Sequence, residues 1–338
     1  MIYNPALLDN NIITSRIRLA RNIFGVPFDV KDDKQAKEII KKTAYTLDKL
    51  GDFTLYTLSK MPYMQKECMK ENHLISNALT ENSHKSAVFI DTDESVSIMV
   101  HEEDIFRFQC MRRGLAITDC YKKLNVIDDN LSKILNFAYD KTLGYLTACP
   151  TNLGTGLRAS VMLFLPALTE SKNIKKIVEW ADKLGLTVRG VYGEGSKADG
   201  CLYQISNEVT LGVSEREIIA EVEETILTVC ESELNEEKVL YSKNAVQVEN
   251  RCLTAYKQLK TLTAIDYKGF LRLITDLKLG VILGYFNFEN PQAIDDLAVN
   301  VRPMTLCYKY GRDLTEKERA ILRADTVRKA MSVIERGR

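Results

Sequence analysis

Up to about Leu240 the chain alternates short apolar runs of strand length with stretches of helical period, and beyond that point the strand signals largely vanish. The segment "AVFIDTDESVSIMVHEED" predicts two strands around a polar Thr92-Asp93-Glu94 turn, with a charged cluster at the exit of the second. "KNIKKIVEWADKLG" has the spacing of an amphipathic helix stopped by Gly185, and "LTVRGVYGEG" and "CLYQISNEVTLG" follow as strands. Ser214 with Glu217 three residues on forms a capping box that opens a helix through "REIIAEVEETILTVCESEL". Later, "NAVQVENRCLTAYKQLKTL", "YKGFLRLITDLKLG" and "TEKERAILRADTVRKAMSVIE" are helical in period, the last opened by a Thr315/Glu318 box. The pattern predicts an α+β domain over residues 1–238 followed by a smaller helical domain over 239–338.

Composition narrows the class. Forty-six basic residues balance forty-six acidic ones, so no overall field draws the chain to nucleic acid or to an anionic membrane. The start, "MIYNPALLDNN", lacks the features of a signal peptide, and the most apolar run, "VMLFLPAL", is too short to span a bilayer; a cytoplasmic protein is expected. Eight cysteines make no C-x-x-C pair and three histidines make no zinc-binding spacing, so reduced thiols are expected in place of disulfides or a structural metal.

The chemistry-bearing residues are arginines, two glutamates and one cysteine. "CPTNLGTGLRAS", residues 149–160, holds a thiol and a guanidinium on either side of a glycine-rich loop. It lacks the lysine of a Walker phosphate loop and the third glycine of a dinucleotide fingerprint. In "TSRIRLARN", Arg16 and Arg18 are two apart, which on a strand points them to one face. Arg107 lies in "HEEDIFRFQ" and Arg189 opens "RGVYGEG". Arginine suits a bidentate grip on phosphate, although each of these also fits a surface residue in a weak ion pair. Glu103 follows a strand, and Glu194 sits between glycines that let backbone approach a ligand.

Taken together and in order, "TSRIRLARN", "HEEDIFRFQ", "CPTNLGTGLRAS", "RGVYGEGS" and "YQISNEVTLG" resemble the signature blocks of the phosphagen kinases, the creatine and arginine kinase superfamily. They are most similar to its bacterial branch, the protein-arginine kinases of the McsB type. The resemblance implies a catalytic domain built on an antiparallel sheet flanked by helices, then an all-helical C-terminal domain used for dimerisation and recognition of phosphoarginine or clients. It implies ATP and Mg2+ as cofactors, with the metal held largely through nucleotide and water and no protein ligand for it.

Block by block, the resemblance places the nucleotide along Ser15, Arg16, Ile17, Arg18 and Leu19, along Arg158, Ala159, Ser160, Val161 and Met162, and along Arg189, Gly190, Val191, Tyr192 and Gly193. Arg107 completes the phosphate-holding set, and His73 in "KENHLIS" is similar to a nucleotide-contacting histidine. Glu103 and Glu194 match the glutamates that clasp the substrate guanidinium, and Cys149 matches the reactive active-site cysteine, expected as a thiolate beside that guanidinium. A guanidinium stays protonated at cellular pH, so phosphorylating it asks for carboxylates that orient the fork and accept its proton. His101 and Ile105 stand where the family usually carries asparagine and histidine. In "RAILRA", Arg319 and Arg323 share a helix face and align with the family's phosphoarginine-binding R-D-x-x-R-A, but Ala320 replaces the aspartate; a solvated helix face is the alternative.

Little sequence precedes Ser15, so the N-terminal domain that closes over small substrates in metabolic phosphagen kinases is expected to be missing, which favours arginine side chains of proteins as substrate. The expected function is ATP-dependent phosphorylation of protein arginines in stress response and protein quality control. Expected partners are a heat-shock repressor, misfolded proteins, a zinc-containing activator protein and Clp protease machinery, with a homodimer as the assembly. A small-molecule guanidino kinase acting on free arginine is the alternative, and a non-catalytic repressor-binding module a second.

Overall fold

The computed structural model describes residues 10–191, 199–287 and 290–336. The strands of the main sheet are β1 (Ile12–Arg21), β2 (Phe53–Thr57), β3 (Ala87–Asp91), β4 (Val96–Val100), β5 (Phe106–Arg113), β6 (Leu157–Phe164), β7 (Leu186–Gly190) and β8 (Leu202–Asn207). They form one sheet in the order β2-β3-β4-β5-β1-β6-β8-β7, with every neighbouring pair antiparallel. The helices before the sheet is complete are α1 (Asp33–Leu47), α2 (Tyr63–Glu71), α3 (Asn77–Glu81), α4 (Ile117–Leu135), α5 (Pro166–Glu170) and α6 (Ile174–Lys183). After it come α7 (Glu215–Lys243), α8 (Ala245–Thr261), α9 (Tyr267–Ile282), α10 (Gln292–Asn300), α11 (Pro303–Tyr310) and α12 (Glu316–Ala330). The α+β expectation holds; the helical region also carries a two-residue strand pair, Phe286–Asn287 with Glu335–Arg336.

The two faces of the sheet differ, and period-two alternation makes them differ. On one face Ile17, Leu19, Phe108, Cys110, Ala159, Val161 and Ile205 are buried against α1, α4 and α7 in the main hydrophobic core. On the other, Val88, Ile90 and Met99 pack under the segment containing α2 and α3. That cover reaches only the β2-β3-β4 end. The strip formed by β5, β1 and β6 keeps its polar side chains open to a groove.

Both capping boxes form as expected: Ser214 with Glu217 opens α7, and Thr315 with Glu318 opens α12. The domain boundary expected at 238/239 falls inside α7, which runs without a break to Lys243; the change of element sits at Asn244. The reason lies in burial, since α7 packs its first half on the sheet core through Ile218, Val222, Ile226 and Val229 and its last turns on the second core through Tyr241. One helix therefore serves both regions. All eight cysteines are free thiols. Among the described residues, no helix is long and apolar enough to cross a membrane.

Candidate active site

The centre of the open face is an arginine cluster assembled by strand register. Arg18 on β1 lies opposite Arg158 on β6 and Gln109 on β5; Arg16 lies opposite Ser160 and Met111; Ala20 lies opposite Arg107. Three strands thus aim four guanidiniums at one groove. Burial and the neighbouring Arg107 and Arg158 bring the Arg16 guanidinium down to about 10. Burial, then Arg16, Arg107 and Arg158, lowers Arg18 well below its ordinary value. Arg158 is lowered by burial and by Arg189.

The cluster is under-compensated. Arg107 pairs with the buried Glu102, Arg158 Nη2 donates to Ser206 Oγ at 3.0 Å, and Arg16 Nε donates to Ser160 Oγ at 3.4 Å. The Nε atoms of Arg18 and Arg158 are buried without a partner. Leaving buried donors unsatisfied among like charges is costly, and an anion seated in the cluster would offset that cost. A polyphosphate supplies acceptors in the geometry a guanidinium fork prefers.

Next to the arginines stand the acid and the thiol. Arg18, Arg107, Arg158, Glu103 and Cys149 line one pocket. The Glu103 loop is a tight turn: the His101 N–H donates to Ile105 O at 2.8 Å, with His101 itself at φ 62°. Asn22, fully buried, clamps that turn. Its Oδ1 accepts from Ile105 N at 2.8 Å, and its Nδ2 donates to Asp104 Oδ1 at 2.7 Å and to Leu146 O at 3.0 Å. Asp104 Oδ1 also accepts from Ala148 N at 2.6 Å, which joins the acid loop to the cysteine loop. Glu103 is exposed, and its carboxyl is raised by burial of its site, by Asp104 and by Glu102, against a lowering by Arg107. A raised carboxyl is suited to accepting a proton.

The glycines of "NLGTG" are required by close approach. A Cβ on Gly154 would stand 2.2 Å from Thr210 O, and one on Gly156 would stand 2.6 Å from Ala20 O, both at positive φ. Thr210 Oγ1 ties the loop further by donating to Thr151 O at 3.0 Å and Leu153 O at 2.7 Å. Cys149 Sγ sits 3.0 Å from Thr151 Oγ1. Beneath the loop, Arg21 is fully buried, forked onto Asp128 and donating to Thr155 O at 2.8 Å. Arg21 is thus a structural guanidinium, unlike its neighbours at 16 and 18.

A second cavity, of about 200 Å³, lies on the same face of β1, β5 and β6 and is mostly apolar in its lining, with Met111, Met162, His73, Tyr267 and Arg302 among its walls. Burial, with Arg302 and Arg16 adding to it, brings His73 down to about 4, so its ring is neutral at ordinary pH. Its mostly apolar walls are of the kind a flat heterocycle packs against.

Strand alternation sorts the residues of these blocks between the two faces of the sheet. Ile17, Leu19, Ala159 and Val161 bury their side chains in the opposite core, and Ser15 Oγ donates to Gly114 O at 2.7 Å and accepts from Ala116 N at 3.0 Å. Ser160 and Met162 do face the groove. Arg189 lies on β7 opposite Gln204, exposed, with Gly190 and Val191 at the strand end. Tyr192, Gly193 and Glu194 lie outside the described residues. Arg323 does not present its guanidinium on a helix face: it is 2% exposed, donating to Val301 O at 2.9 Å and Ile265 O at 2.8 Å. Arg319 donates to Leu314 O at 2.6 Å. Each guanidinium thus has at least one nitrogen engaged by a backbone carbonyl. The site residues that local reasoning passed over are Glu102, Asp104, Asn22 and Arg302. The run of three acids in "HEED" signalled the first two; nothing local signalled the others.

An arginine-lined groove with a carboxylate and a thiol at one end, on an antiparallel sheet, defines a guanidino phosphotransferase. Residues 35–236 match the family model for the ATP:guanido phosphotransferase C-terminal catalytic domain, and residues 245–338 match that for the protein-arginine kinase McsB C-terminal domain. The chain belongs to the protein-arginine kinase family. It is 40% identical over 331 residues to the protein-arginine kinase of Clostridium acetobutylicum, covering 96% of this chain and 97% of that one. It is 39% identical to that of Caldanaerobacter subterraneus subsp. tengcongensis, covering 94% and 95%. Among solved structures, lombricine kinase superposes with TM-score 0.59 at 28% identity, covering 68% of each chain. The duplicated taurocyamine kinase of Schistosoma mansoni shares the fold, with TM-score 0.62 at 24% identity over 77% of this chain and 40% of that one.

Proposed function

We propose that this enzyme transfers the γ-phosphoryl group of ATP to the guanidinium of arginine side chains in proteins. The observation that carries the reading is the convergence of Arg18, Arg107 and Arg158, two of them with unpartnered buried Nε atoms, on the pocket that also holds Glu103 and Cys149. The arginines would hold and neutralise the phosphates, leaving positioning and charge stabilisation as the chief catalytic contributions. Glu103, held by the Asn22 clamp, would orient the substrate fork and accept a proton as nitrogen attacks, while Cys149 lines the same guanidinium site. Glu194 is proposed as the second carboxylate.

ATP fits the observed donor set. Among the described residues no group of three or more His, Cys, Asp or Glu side chains could hold a metal ion. Mg2+ is proposed, as the family resemblance implies, to be carried by the phosphates and water, where it would shield the transferred charge. The proposed setting is cytoplasmic stress response and protein quality control, acting on a heat-shock repressor and on misfolded proteins. A zinc-containing activator protein, Clp protease machinery and a homodimeric assembly are proposed with it; a direct nucleic-acid or membrane partner is not. The balanced charge of the chain supports the last point.

The test is mass spectrometry, at neutral pH throughout, of an unfolded test protein incubated with the enzyme and Mg-ATP. Phosphoarginine that disappears in Glu103→Gln supports the reading. Phosphorylation of free arginine alone would replace it with a small-molecule guanidino kinase.

A further inference from the structure

The apolar end of the groove is built from parts of the chain far apart in sequence. Met111 and Met162 come from the sheet, His73 from the turn after α2, and Tyr267 and Arg302 from the helical region. Two carboxylates join these parts: Asp296 of α10 pairs with Arg113 of β5, and Glu71 reaches α11. Glu71, the last residue of α2, accepts from Met304 N at 3.1 Å, from Thr305 N at 2.7 Å and from Thr305 Oγ1 at 2.9 Å. Met304 and Thr305 lie in the first turn of α11, where backbone N–H groups have no acceptor within the helix. Arg302, at the N-cap position, provides no side-chain cap. A carboxylate from another element takes that role, with the sign the helix dipole favours. Arg302 answers by donating through Nη1 to the Glu71 carbonyl.

The next residues along the chain are Asn72 and His73. His73 is held at φ 60°, and its carbonyl accepts from Gln109 Nε2 at 2.6 Å. A non-glycine residue at positive φ is retained only where its surroundings fix it. Here the turn is fixed by Gln109 on the sheet at one end and by the Glu71–α11 junction at the other.

We propose that Glu71 is a positioning residue for the nucleotide: by capping α11 it docks the helical region against the His73 turn and so completes the base end of the groove. This rests on the reading of the groove as the nucleotide site. It makes the helical region a structural part of that site.

The experiment is calorimetric titration of the full chain with ADP in wild type, Glu71→Ala and Glu71→Asp, alongside melting temperatures and KM values for ATP and for the protein substrate. Glu71→Ala is expected to weaken ADP about tenfold, the scale of losing a charged cap, and to raise the KM for ATP while that for the protein substrate holds. Glu71→Asp should recover part of the loss. Equal ADP affinity in Glu71→Ala and wild type would overturn the proposal. So would a fall in both substrates' affinities in step with the melting temperature, since that is a purely structural role. If wild type itself bound no ADP, the nucleotide reading of the groove would fail, and the proposal with it.

Discussion

Asp104 Oδ1 accepts the Ala148 N–H at 2.6 Å and thereby sets the spacing between the Glu103 turn and the Cys149 loop. The same oxygen accepts from Asn22 Nδ2 at 2.7 Å, so one atom carries both bonds. Asparagine at this position keeps that oxygen and removes the charge, whereas alanine removes both bonds. Asp104→Ala should lower kcat/KM about a hundredfold, as misplacement of reacting groups by an ångström does. Asp104→Asn should retain most of the rate. Because Asp104 is one of the causes that raise the Glu103 carboxyl, Asp104→Asn should also move the acidic limb of the pH–rate profile to lower pH. Equal rate losses in the two variants would refute the bonding role.

Arg18 has a buried, unpartnered Nε and lies opposite Arg158. Lysine keeps the charge and loses the fork, so Arg18→Lys tests geometry apart from electrostatics. A drop of about a hundredfold in kcat/KM for ATP is expected, the scale of removing one preorganised donor. Steady-state kinetics showing less than a threefold change would mean that charge alone suffices.

Gly154 and Gly156 answer to backbone oxygens that cannot retreat. Gly154→Ala sets a Cβ 2.2 Å from Thr210 O, and Gly156→Ala sets one 2.6 Å from Ala20 O, each with a positive φ in addition. Either substitution should cost about 2 kcal/mol or more of stability and displace the cysteine loop. Denaturant melts of the purified variants check the first effect and activity the second.

Glu237 on α7 is buried with Oε1 unpartnered, and burial pushes its carboxyl up to about 7 from an ordinary 4.5. The folded protein then holds a proton that the unfolded chain has released, so stability falls as pH rises from about 4.5 to about 7, and the full penalty, about 3 kcal/mol, stands above that window. Glu237→Gln mimics the neutral acid and should raise the melting temperature at pH 8 but not at pH 4. Glu233, raised by burial to about 8 although it accepts from Ala167 N and Leu168 N, adds a slope of the same sign, so the variant's profile flattens without becoming level. A melting profile unchanged by the substitution would show that water already solvates this carboxylate.

By itself the sequence determined what depends on neighbours along the chain. A strand alternates its side chains, so Arg16 and Arg18 had to share a face; the same rule sends Ile17 and Leu19 to the core. The two capping boxes and the stop at Gly185 are equally local, because their partners lie within one helical turn. The family blocks also announced the fold and the guanidinium chemistry. Only the tertiary structure decided which residues converge. Antiparallel register brings Arg158 opposite Arg18 across 140 positions of sequence, and Asn22, Asp104 and Ala148 meet at a single oxygen. Arg323 shares a helix face with Arg319 in the sequence, yet packing turns its guanidinium onto two backbone carbonyls. The contact between Glu71 and the N–H groups of α11 was likewise invisible in the chain, since Glu71 and Met304 lie 233 positions apart. Backbone geometry repeats every two or 3.6 residues and can be read locally, but contacts between distant segments are selected by packing and polar satisfaction of the whole molecule.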